Sequence, residues 1–159
     1  MAIMTDPIVS LSRFIGPDGV VRRVRVGAYA WCERDAALLV CRLGPGTAGE
    51  GRWTLPGGGV KFGEDPAAAV LRELGEETGL AGRIDALLGV RSAVVEPAET
   101  RTGHRIQTIG ILYGVTPDGS GVRTEVGGST DAVAWIPLAD LDGVDAVPLL
   151  AWARETVAR

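Results

Sequence analysis

The sequence predicts an α/β fold in which helices cover both faces of a mixed β-sheet, an α/β/α sandwich. Runs rich in β-branched and apolar residues recur along the chain, bounded by glycine, proline and polar residues, which is typical of strands. One amphipathic helix with clear start and stop signals lies between these runs, and an apolar stretch near the C-terminal end predicts a second helix. Two such helices need a sheet on which to bury their apolar faces.

The strands are predicted from the apolar and β-branched runs. In chain order they are residues 22–32, 37–42, 53–55, 85–95, 105–115 and 132–136. The first two are joined by the turn-like run Glu33, Arg34 and Asp35, so we expect them to form a hairpin. A glycine-rich loop at 43–52 follows, and the three glycines at 57–59 are interpreted as a turn.

The central helix is expected to run from Pro66 to Thr78. Asp65 can cap its first amides, Pro66 suits the first helical position, and Gly79 suits the left-handed residue that ends a helix. A closing helix is predicted over residues 148–158. A chain of 159 residues without repeats, low-complexity tracts or linkers indicates a single domain over residues 1–159.

Three carboxylates lie on one side of the central helix. At roughly 100° per residue, Glu76 and Glu77 fall about 60° and about 40° to either side of Glu73. Like charges at these spacings cost about 0.2–0.5 kcal/mol per pair, and acids in the last turn also oppose the helix dipole. A divalent cation reverses this balance, because Mg²⁺ is typically held by one or two carboxylates together with water and phosphate oxygens. The pattern therefore indicates a metal site, and the plainer alternative is a solvated acidic face.

The residues around these carboxylates carry a family resemblance. Gly58, five residues, Glu64, seven residues and then the run RELGEETGL from Arg72 to Leu80 match every fixed position of the Nudix box. The chain thus resembles a Nudix hydrolase, with the box at residues 58–80. From average residue frequencies, a chance match in this length is on the order of one in ten million. The resemblance covers most of the chain and implies a Nudix-type α/β/α sandwich, although only the box is specific.

The resemblance implies Mg²⁺-dependent hydrolysis of a nucleoside diphosphate linked to another moiety, with Mn²⁺ as a substitute metal and water attacking a phosphorus of the diphosphate. It assigns Glu76 and Glu77 as metal ligands and Glu73 as a further ligand or the general base. It also implies that Gly57 supplies a backbone carbonyl to the metal and that Glu64 has a catalytic role through an indirect contact, made either through another ligand or through a bridging water.

Three further residues are candidates for the site. Arg72 lies four residues before Glu76 and can hold that carboxylate, and the resemblance gives it a catalytic role. Glu125 and Asp131 flank a flexible glycine-containing stretch that could bring either over the site as the general base or an additional ligand. Solvated loop acids are the plainer interpretation of both. Four arginines, at positions 52, 91, 101 and 105, are candidates for contacting the leaving phosphate.

The composition and net charge of the chain limit the kinds of molecule that it is expected to bind. A net charge of −4 and a pI near 5.0 argue against general affinity for nucleic acid polymers or anionic membranes, so the expected partner is a small nucleoside diphosphate derivative. The N-terminal residues lack a basic start followed by a long apolar stretch, and we therefore expect a cytoplasmic enzyme. A homodimer remains open, because dimers are common among Nudix proteins.

Two other functions are weighed against hydrolysis. An isomerase of isoprenoid diphosphates on the same fold would need a catalytic cysteine in a characteristic local motif, which the surroundings of Cys32 and Cys41 do not resemble. A non-catalytic, nucleotide-binding Nudix-like regulatory module is the stronger alternative, although such modules often lose box residues. The sequence does not identify the substrate.

Overall fold

The computed structural model describes residues 13–159. Its strands are β1 (Arg13–Ile15), β2 (Val21–Trp31), β3 (Glu33–Arg34), β4 (Ala37–Leu43), β5 (Trp53–Thr54), β6 (Gly57–Gly59), β7 (Gly82–Val95), β8 (Arg105–Pro117) and β9 (Thr130–Pro137). Its helices are α1 (Pro66–Thr78), α2 (Pro148–Val157) and two 3₁₀ helices (Pro97–Glu99 and Leu138–Gly143). None of the helices in this range is long and apolar enough to cross a membrane.

The strands form two sheets. The larger has the order β1-β2-β8-β7, with β6 also pairing with β2, and it is mixed because β2 and β8 run parallel while its other pairs are antiparallel. The smaller is antiparallel, with the order β3-β4-β5 and with β9 also pairing with β4. The predicted α/β class with a mixed sheet is confirmed, and the division of the strands into two sheets is a finding of the structure.

The predicted hairpin holds only for its short central part. β4 pairs with β3, β5 and β9, whereas β2 pairs with β1, β6 and β8, so the two long strands belong to different sheets. The chain reverses at Asp35 and Ala36, which both have positive φ, 49° and 56°. Two successive left-handed residues are typical of a two-residue hairpin turn, here between β3 and β4.

Helix α1 has the predicted ends. The Asp65 side chain accepts a hydrogen bond from the backbone N–H of Ala67 at 2.7 Å, and Pro66 is the first helical residue. Gly79 is left-handed, with φ of 73°, and its N–H donates to the carbonyl of Gly75 at 3.0 Å. These local interactions satisfy groups that helix ends leave unpaired, which explains why the helix begins and ends where it does.

Two apolar clusters form the core, one beneath each helix. The cluster beneath α1 contains Ala28, Ala30 and Cys32, Leu39 of β4, and Ala69, Val70 and Leu74 of the helix. The cluster beneath α2 contains Trp31 of β2, Leu38 and Val40 of β4, and Leu150 and Ala153 of the helix. Because the clusters take alternate residues of the same chain segments, the two helices lie on opposite faces. The packing of α1 on its apolar stripe leaves the Glu76 side chain exposed to solvent, whereas Glu77 is buried.

Candidate active site

Arg72 lies at the centre of the box carboxylates. Its Nε and Nη2 atoms donate to the two oxygens of Glu64 at 2.7 and 3.0 Å. Its Nη1 atom donates to Glu73 at 2.8 Å and to Glu76 at 2.9 Å, so the contact with Glu76 inferred from the spacing is present. Its Nη2 atom also donates to the Gly59 carbonyl at 3.2 Å. One guanidinium therefore holds three carboxylates and ties them to the glycine strand β6.

The hydrogen bonds within this cluster change the ionisation of its members. The side-chain hydrogen bonds from Arg72 lower the pKa of Glu64 to about 2, and the backbone N–H of Lys61 acts in the same direction. The same hydrogen bonds raise the pKa of Arg72 above its ordinary value. Both partners are therefore fully charged at neutral pH, as a positioning contact requires.

Glu77 is the buried member of the acidic group, with 2% of its surface exposed. It accepts a hydrogen bond from the backbone N–H of Gly57 at 2.9 Å. The pKa of Glu77 is raised to about 8, chiefly by burial; the charges of Glu73 and Glu125 contribute to the rise, while the hydrogen bonds from Gly57 and Ser129 oppose it. Among the described residues, no cationic side chain forms an ion pair with this carboxylate.

The three glycines form strand β6 rather than the predicted turn, and they pair antiparallel with β2. Gly57 has φ of 145°, and a Cβ atom there would overlap the carbonyl oxygen of Ala28. A Cβ atom on Gly58 would lie 2.8 Å from the carboxylate of Glu73. The missing side chains therefore let the strand reach β2 on one side and the helix carboxylates on the other.

The residues present fit a hard divalent cation. Within residues 13–159, no three acidic, histidine or cysteine side chains stand in ligating positions, because Arg72 holds Glu73 and Glu76. The available donors are nevertheless carboxylate oxygens and the nearby backbone of Gly57, which are the ligand types of Mg²⁺. The buried carboxylate of Glu77, whose pKa is raised, is the group that an adjacent cation would stabilise in its charged form.

The structure separates the two loop carboxylates proposed from the sequence. Asp131 accepts a hydrogen bond from the Nε atom of Arg42 at 2.8 Å in an ion pair. Glu125 lies close enough to Glu77 for its charge to raise the pKa of that residue. The backbone of Gly128 lies directly against the Glu125 side chain, and a Cβ atom there would overlap the carboxylate. Asp131 is thus engaged by an arginine, whereas the charge of Glu125 acts on Glu77.

A cavity of about 550 Å³ lies on the face of the larger sheet opposite α1. Its lining includes Arg25 and Tyr29 of β2, Arg52, Arg91 of β7 and Gly110 of β8. Burial raises the pKa of Tyr29, and the charges of Glu77 and Glu73 raise it further, while Arg25 lowers it. The cavity therefore adjoins the acidic site through Tyr29.

Only two of the four arginines predicted from the sequence line this cavity, namely those at 52 and 91. Arg101 donates to the backbone carbonyl of Gly46. Arg105 forms ion pairs with Asp18 at 3.0 Å and with Glu96 at 2.9 Å. Both of these are structural contacts at the rim of the fold.

Sequence reasoning missed Arg25 and Tyr29. A signal was available, because the alternation of residues 24–29 along a predicted strand places Arg25, Gly27 and Tyr29 on one face. What the alternation does not show is which other segments meet that face, and four of them, at 43–52, 91–99, 108–110 and 147–149, contribute to the cavity.

The two cysteines lie in the core as free thiols and are fully buried. Burial raises the pKa of Cys32 to about 12 and raises the pKa of Cys41 as well. A thiol is a poor nucleophile unless its pKa is lowered, so the structure does not favour the isomerase alternative, which needs a reactive cysteine.

Comparison with known proteins agrees with the fold and with the box. The family model of the NUDIX domain matches residues 21–159, so the chain belongs to the NUDIX family. A crystal structure of a MutT NUDIX hydrolase from Burkholderia pseudomallei superposes with a TM-score of 0.65 at 26% sequence identity, covering 86% of this chain and 97% of that one.

Two curated relatives show the range of activities around this sequence. An RNA pyrophosphohydrolase from Acidiphilium cryptum is 49% identical over 67 residues, which is 40% of this chain and 39% of that protein. An ADP-ribose pyrophosphatase from Methanocaldococcus jannaschii is 39% identical over 80 residues, which is 50% of this chain and 45% of that protein. The matched segments thus span less than half the length of these relatives.

Proposed function

We propose that the protein is a metal-dependent hydrolase that cleaves a nucleoside diphosphate linked to another moiety. The observation that carries the proposal is the complete set of box carboxylates, gathered around Arg72 and strand β6, beside a cavity lined by arginines. The names of the two curated relatives, a pyrophosphohydrolase and a pyrophosphatase, support this reaction class. Mg²⁺ is the proposed metal, with Mn²⁺ as a substitute, because the donors are hard oxygens.

The carboxylates of Glu73, Glu76 and Glu77 and the backbone carbonyl of Gly57 would hold the cation. When bound, it supplies charge neutralisation for the diphosphate and lowers the pKa of a bound water. Arg72 acts as a positioning residue, because it makes two hydrogen bonds to Glu64 in the loop before the helix and one each to Glu73 and Glu76 on the helix. The strand of glycines keeps the backbone close enough for its N–H and carbonyl groups to take part.

Glu125 is our proposed general base, with Glu73 as the alternative. A base must reach the attacking water and must not be neutralised by a permanent partner. Asp131 is engaged by Arg42, whereas Glu125 faces Glu77 from the loop after β8 and forms no ion pair with the described residues. Glu73 accepts a hydrogen bond from Arg72 at 2.8 Å, so one of its oxygens already has a protein partner.

The function is tested with a panel of diphosphate compounds: nucleoside triphosphates, ADP-ribose, nucleotide sugars, dinucleoside polyphosphates, NADH and coenzyme A. Each is incubated with Mg²⁺ or Mn²⁺, and the products are identified by mass. We expect one class to be cleaved within the diphosphate by the wild type and not by Glu77→Gln. The control variant is Glu155→Gln on the exposed side of α2, which should retain activity.

The outcome also decides between hydrolysis and the regulatory-module alternative. Equilibrium binding of the same compounds is measured on the wild type in parallel. A compound that binds but is not cleaved with either metal would contradict the proposed hydrolysis and support the regulatory module. For the base, Glu125→Gln should lower kcat, because the variant lacks the group that accepts a proton from the attacking water; an unchanged kcat would exclude Glu125 and leave Glu73 as the candidate.

A further inference from the structure

The cavity beside the acidic site carries an excess of positive charge. Three arginines from separate segments line it: Arg25 on β2, Arg52 in the loop before β5, and Arg91 on β7. Glu99, at the end of the first 3₁₀ helix, is the one carboxylate among the lining residues. A concave surface lined by positive charges strengthens their electric field and attracts anions.

The arginines are anchored by groups that leave most of their charge uncompensated. Arg52 donates to the carbonyl of Ala146 at 2.5 Å, and its ion pair with Asp145 at 3.3 Å is weak, since that carboxylate is 81% exposed. Arg91 donates to a backbone carbonyl at 3.2 Å and lies 5.5 Å from the ring centroid of Trp152. Within the described part of the chain, Arg25 forms no ion pair. The guanidinium groups are thus positioned, and their remaining N–H donors are available to a ligand.

The floor of the cavity is built from a row of residues that includes two glycines. Gly27 of β2 pairs with Gly110 of β8, and Gly110 pairs with Arg91 of β7, which forms one row across three strands. The Tyr29 ring lies over Gly27, where a Cβ atom would fall 2.7 Å from its hydroxyl, and the Arg91 side chain packs beside Gly110, 3.6 Å from a Cβ atom placed there. A volume of about 550 Å³ is within the range of pockets that enclose ligands the size of a nucleotide.

The cavity and the carboxylates are close enough for one substrate to occupy both. A Cβ atom on Gly59 would lie 3.7 Å from the Nη2 atom of Arg25, and the carbonyl of the same glycine accepts a hydrogen bond from Arg72. Tyr29 lines the cavity and pairs with Gly57, whose N–H donates to Glu77. A diphosphate at the carboxylates would therefore extend its attached group toward the three arginines.

We propose that this cavity selects substrates that bear at least one phosphate in addition to the diphosphate that is cleaved, and that Arg25, Arg52 and Arg91 determine this preference. The inference rests on the proposed function and narrows its substrate class. Guanidinium groups bind phosphate oxygens through paired, charge-assisted hydrogen bonds. Three guanidinium groups therefore suit a phosphate group, which carries negative charge, better than a neutral sugar.

The test compares compounds that differ by one phosphate remote from the cleaved bond. Coenzyme A is paired with 3′-dephospho-coenzyme A and NADPH with NADH, which place the extra phosphate on a ring. Adenosine 5′-tetraphosphate is paired with the triphosphate, which places it on the chain. We expect kcat/KM to be about tenfold or more higher for the phosphorylated member of at least one pair. Ratios within about twofold in every pair would overturn the proposal.

Substitutions identify the residues responsible. In Arg25→Gln and Arg91→Gln, the ratio of kcat/KM between the two members of the preferred pair should fall toward one. The matched control is Arg83→Gln, because Arg83 is 71% exposed, pairs with Asp85 at 2.7 Å and does not line the cavity. An equal fall in the control would show a general effect of net charge and contradict the assignment.

A binding experiment separates this proposal from the proposed function. Inorganic triphosphate is titrated into wild type, Arg25→Gln, Arg91→Gln and Arg83→Gln by calorimetry with chelator present, at low and high salt. Weaker binding in the first two variants alone supports the cavity site even if no compound is hydrolysed. If compounds are hydrolysed without a preference for extra phosphate and all four proteins bind triphosphate equally, the proposed function would stand. The proposal that the cavity selects an additional phosphate would then be overturned.

Discussion

The acidic site and the basic cavity adjoin each other but are assembled in opposite ways. The acidic site draws its carboxylates from one helix and the loop before it, within residues 58–80, and one guanidinium links three of them. The cavity draws its arginines from β2, β7 and the loop before β5, which are up to 66 positions apart, from 25 to 91. A site encoded in consecutive residues is accessible to sequence reasoning, while a site made by strand pairing is accessible only once the sheet order is known. The two sites should also respond differently to mutation, because the acidic site contains a carboxylate that is buried, namely that of Glu77.

The largest expected contrast is at Glu77. Glu77→Gln should lower kcat/KM by roughly 10³-fold, because it removes a charged ligand from the acidic site. The same change should stabilise the metal-free protein at pH 8, since the buried carboxylate is replaced by a neutral group of the same shape. We expect a gain of roughly 1–3 kcal/mol in the free energy of unfolding, measured with denaturant and chelator present.

The pH dependence follows from the pKa of Glu77, which is raised to about 8 in the folded protein. Between the ordinary glutamate pKa of 4.5 and the folded-state pKa of about 8, the folded state keeps a proton that the unfolded state has lost, so wild-type stability falls as the pH rises through this window. The Gln variant lacks this dependence, and the two curves should converge near pH 4. A Gln variant that is less stable than wild type at pH 8 would contradict the assignment of a buried, uncompensated charge, and Glu155→Gln serves as the control.

The second prediction concerns the backbone of strand β6, in contrast to the side chain of Glu77. Gly57→Ala places a Cβ atom against the carbonyl of Ala28 at a φ of 145°, which L residues rarely adopt. We expect a loss of roughly 2–3 kcal/mol in unfolding free energy together with a loss of activity, because strand β6 cannot keep its position. Gly121→Ala is the control, since no atom lies within 4 Å of its added Cβ and it should change stability by less than about 0.5 kcal/mol. Equal effects of the two substitutions would show that β6 tolerates a side chain.

The helix and the strands differ in how much of the fold could be predicted. The ends of α1 were predicted to the residue because Asp65, Pro66 and Gly79 act on their own neighbours. The positions of the long strands were also predicted to within a few residues, because alternation is local. Their partners were not, since the alternating pattern of 22–32 fits pairing with β4 as well as with β8, and only packing in the core decides.

In the candidate site, too, the features set by neighbouring residues could be predicted, whereas those set by packing could not. The box carboxylates and the contact between Arg72 and Glu76 follow from helical spacing. The choice between Glu125 and Asp131 did not follow, because it depends on the path of a glycine-containing loop and on the distant Arg42. Glycines at 57–59 suggested a turn, whereas their lack of side chains instead permits a strand that passes between β2 and α1.

A third, smaller effect would sharpen the role of the guanidinium at the acidic site. Arg72→Lys keeps the charge but cannot bridge three carboxylates, because an ammonium group lacks the planar fork of an arginine. We expect metal affinity to fall by about 10–100-fold with little change in stability. The measurement is Mn²⁺ binding followed by paramagnetic resonance, with Arg154→Lys, which pairs with Asp142 away from the site, as the control. Unchanged Mn²⁺ affinity would show that the carboxylates keep their positions without Arg72.

The smallest expected effect tests whether the cavity can be altered without touching the acidic site. An added Cβ atom on Gly110 would lie 3.6 Å from the Arg91 side chain and 3.7 Å from Leu149, which are ordinary contacts, so Gly110→Ala should fold normally. The methyl group raises the cavity floor beside Arg91, and we expect KM to rise by about three- to tenfold while kcat is retained. Gly114→Ala, on the same face of β8 with its Cβ 3.5 Å from Leu88, is the matched control and should leave KM unchanged. If kcat falls as much as KM rises, the cavity and the carboxylates act as one unit, and the separation of binding from chemistry that their different construction suggests would be wrong.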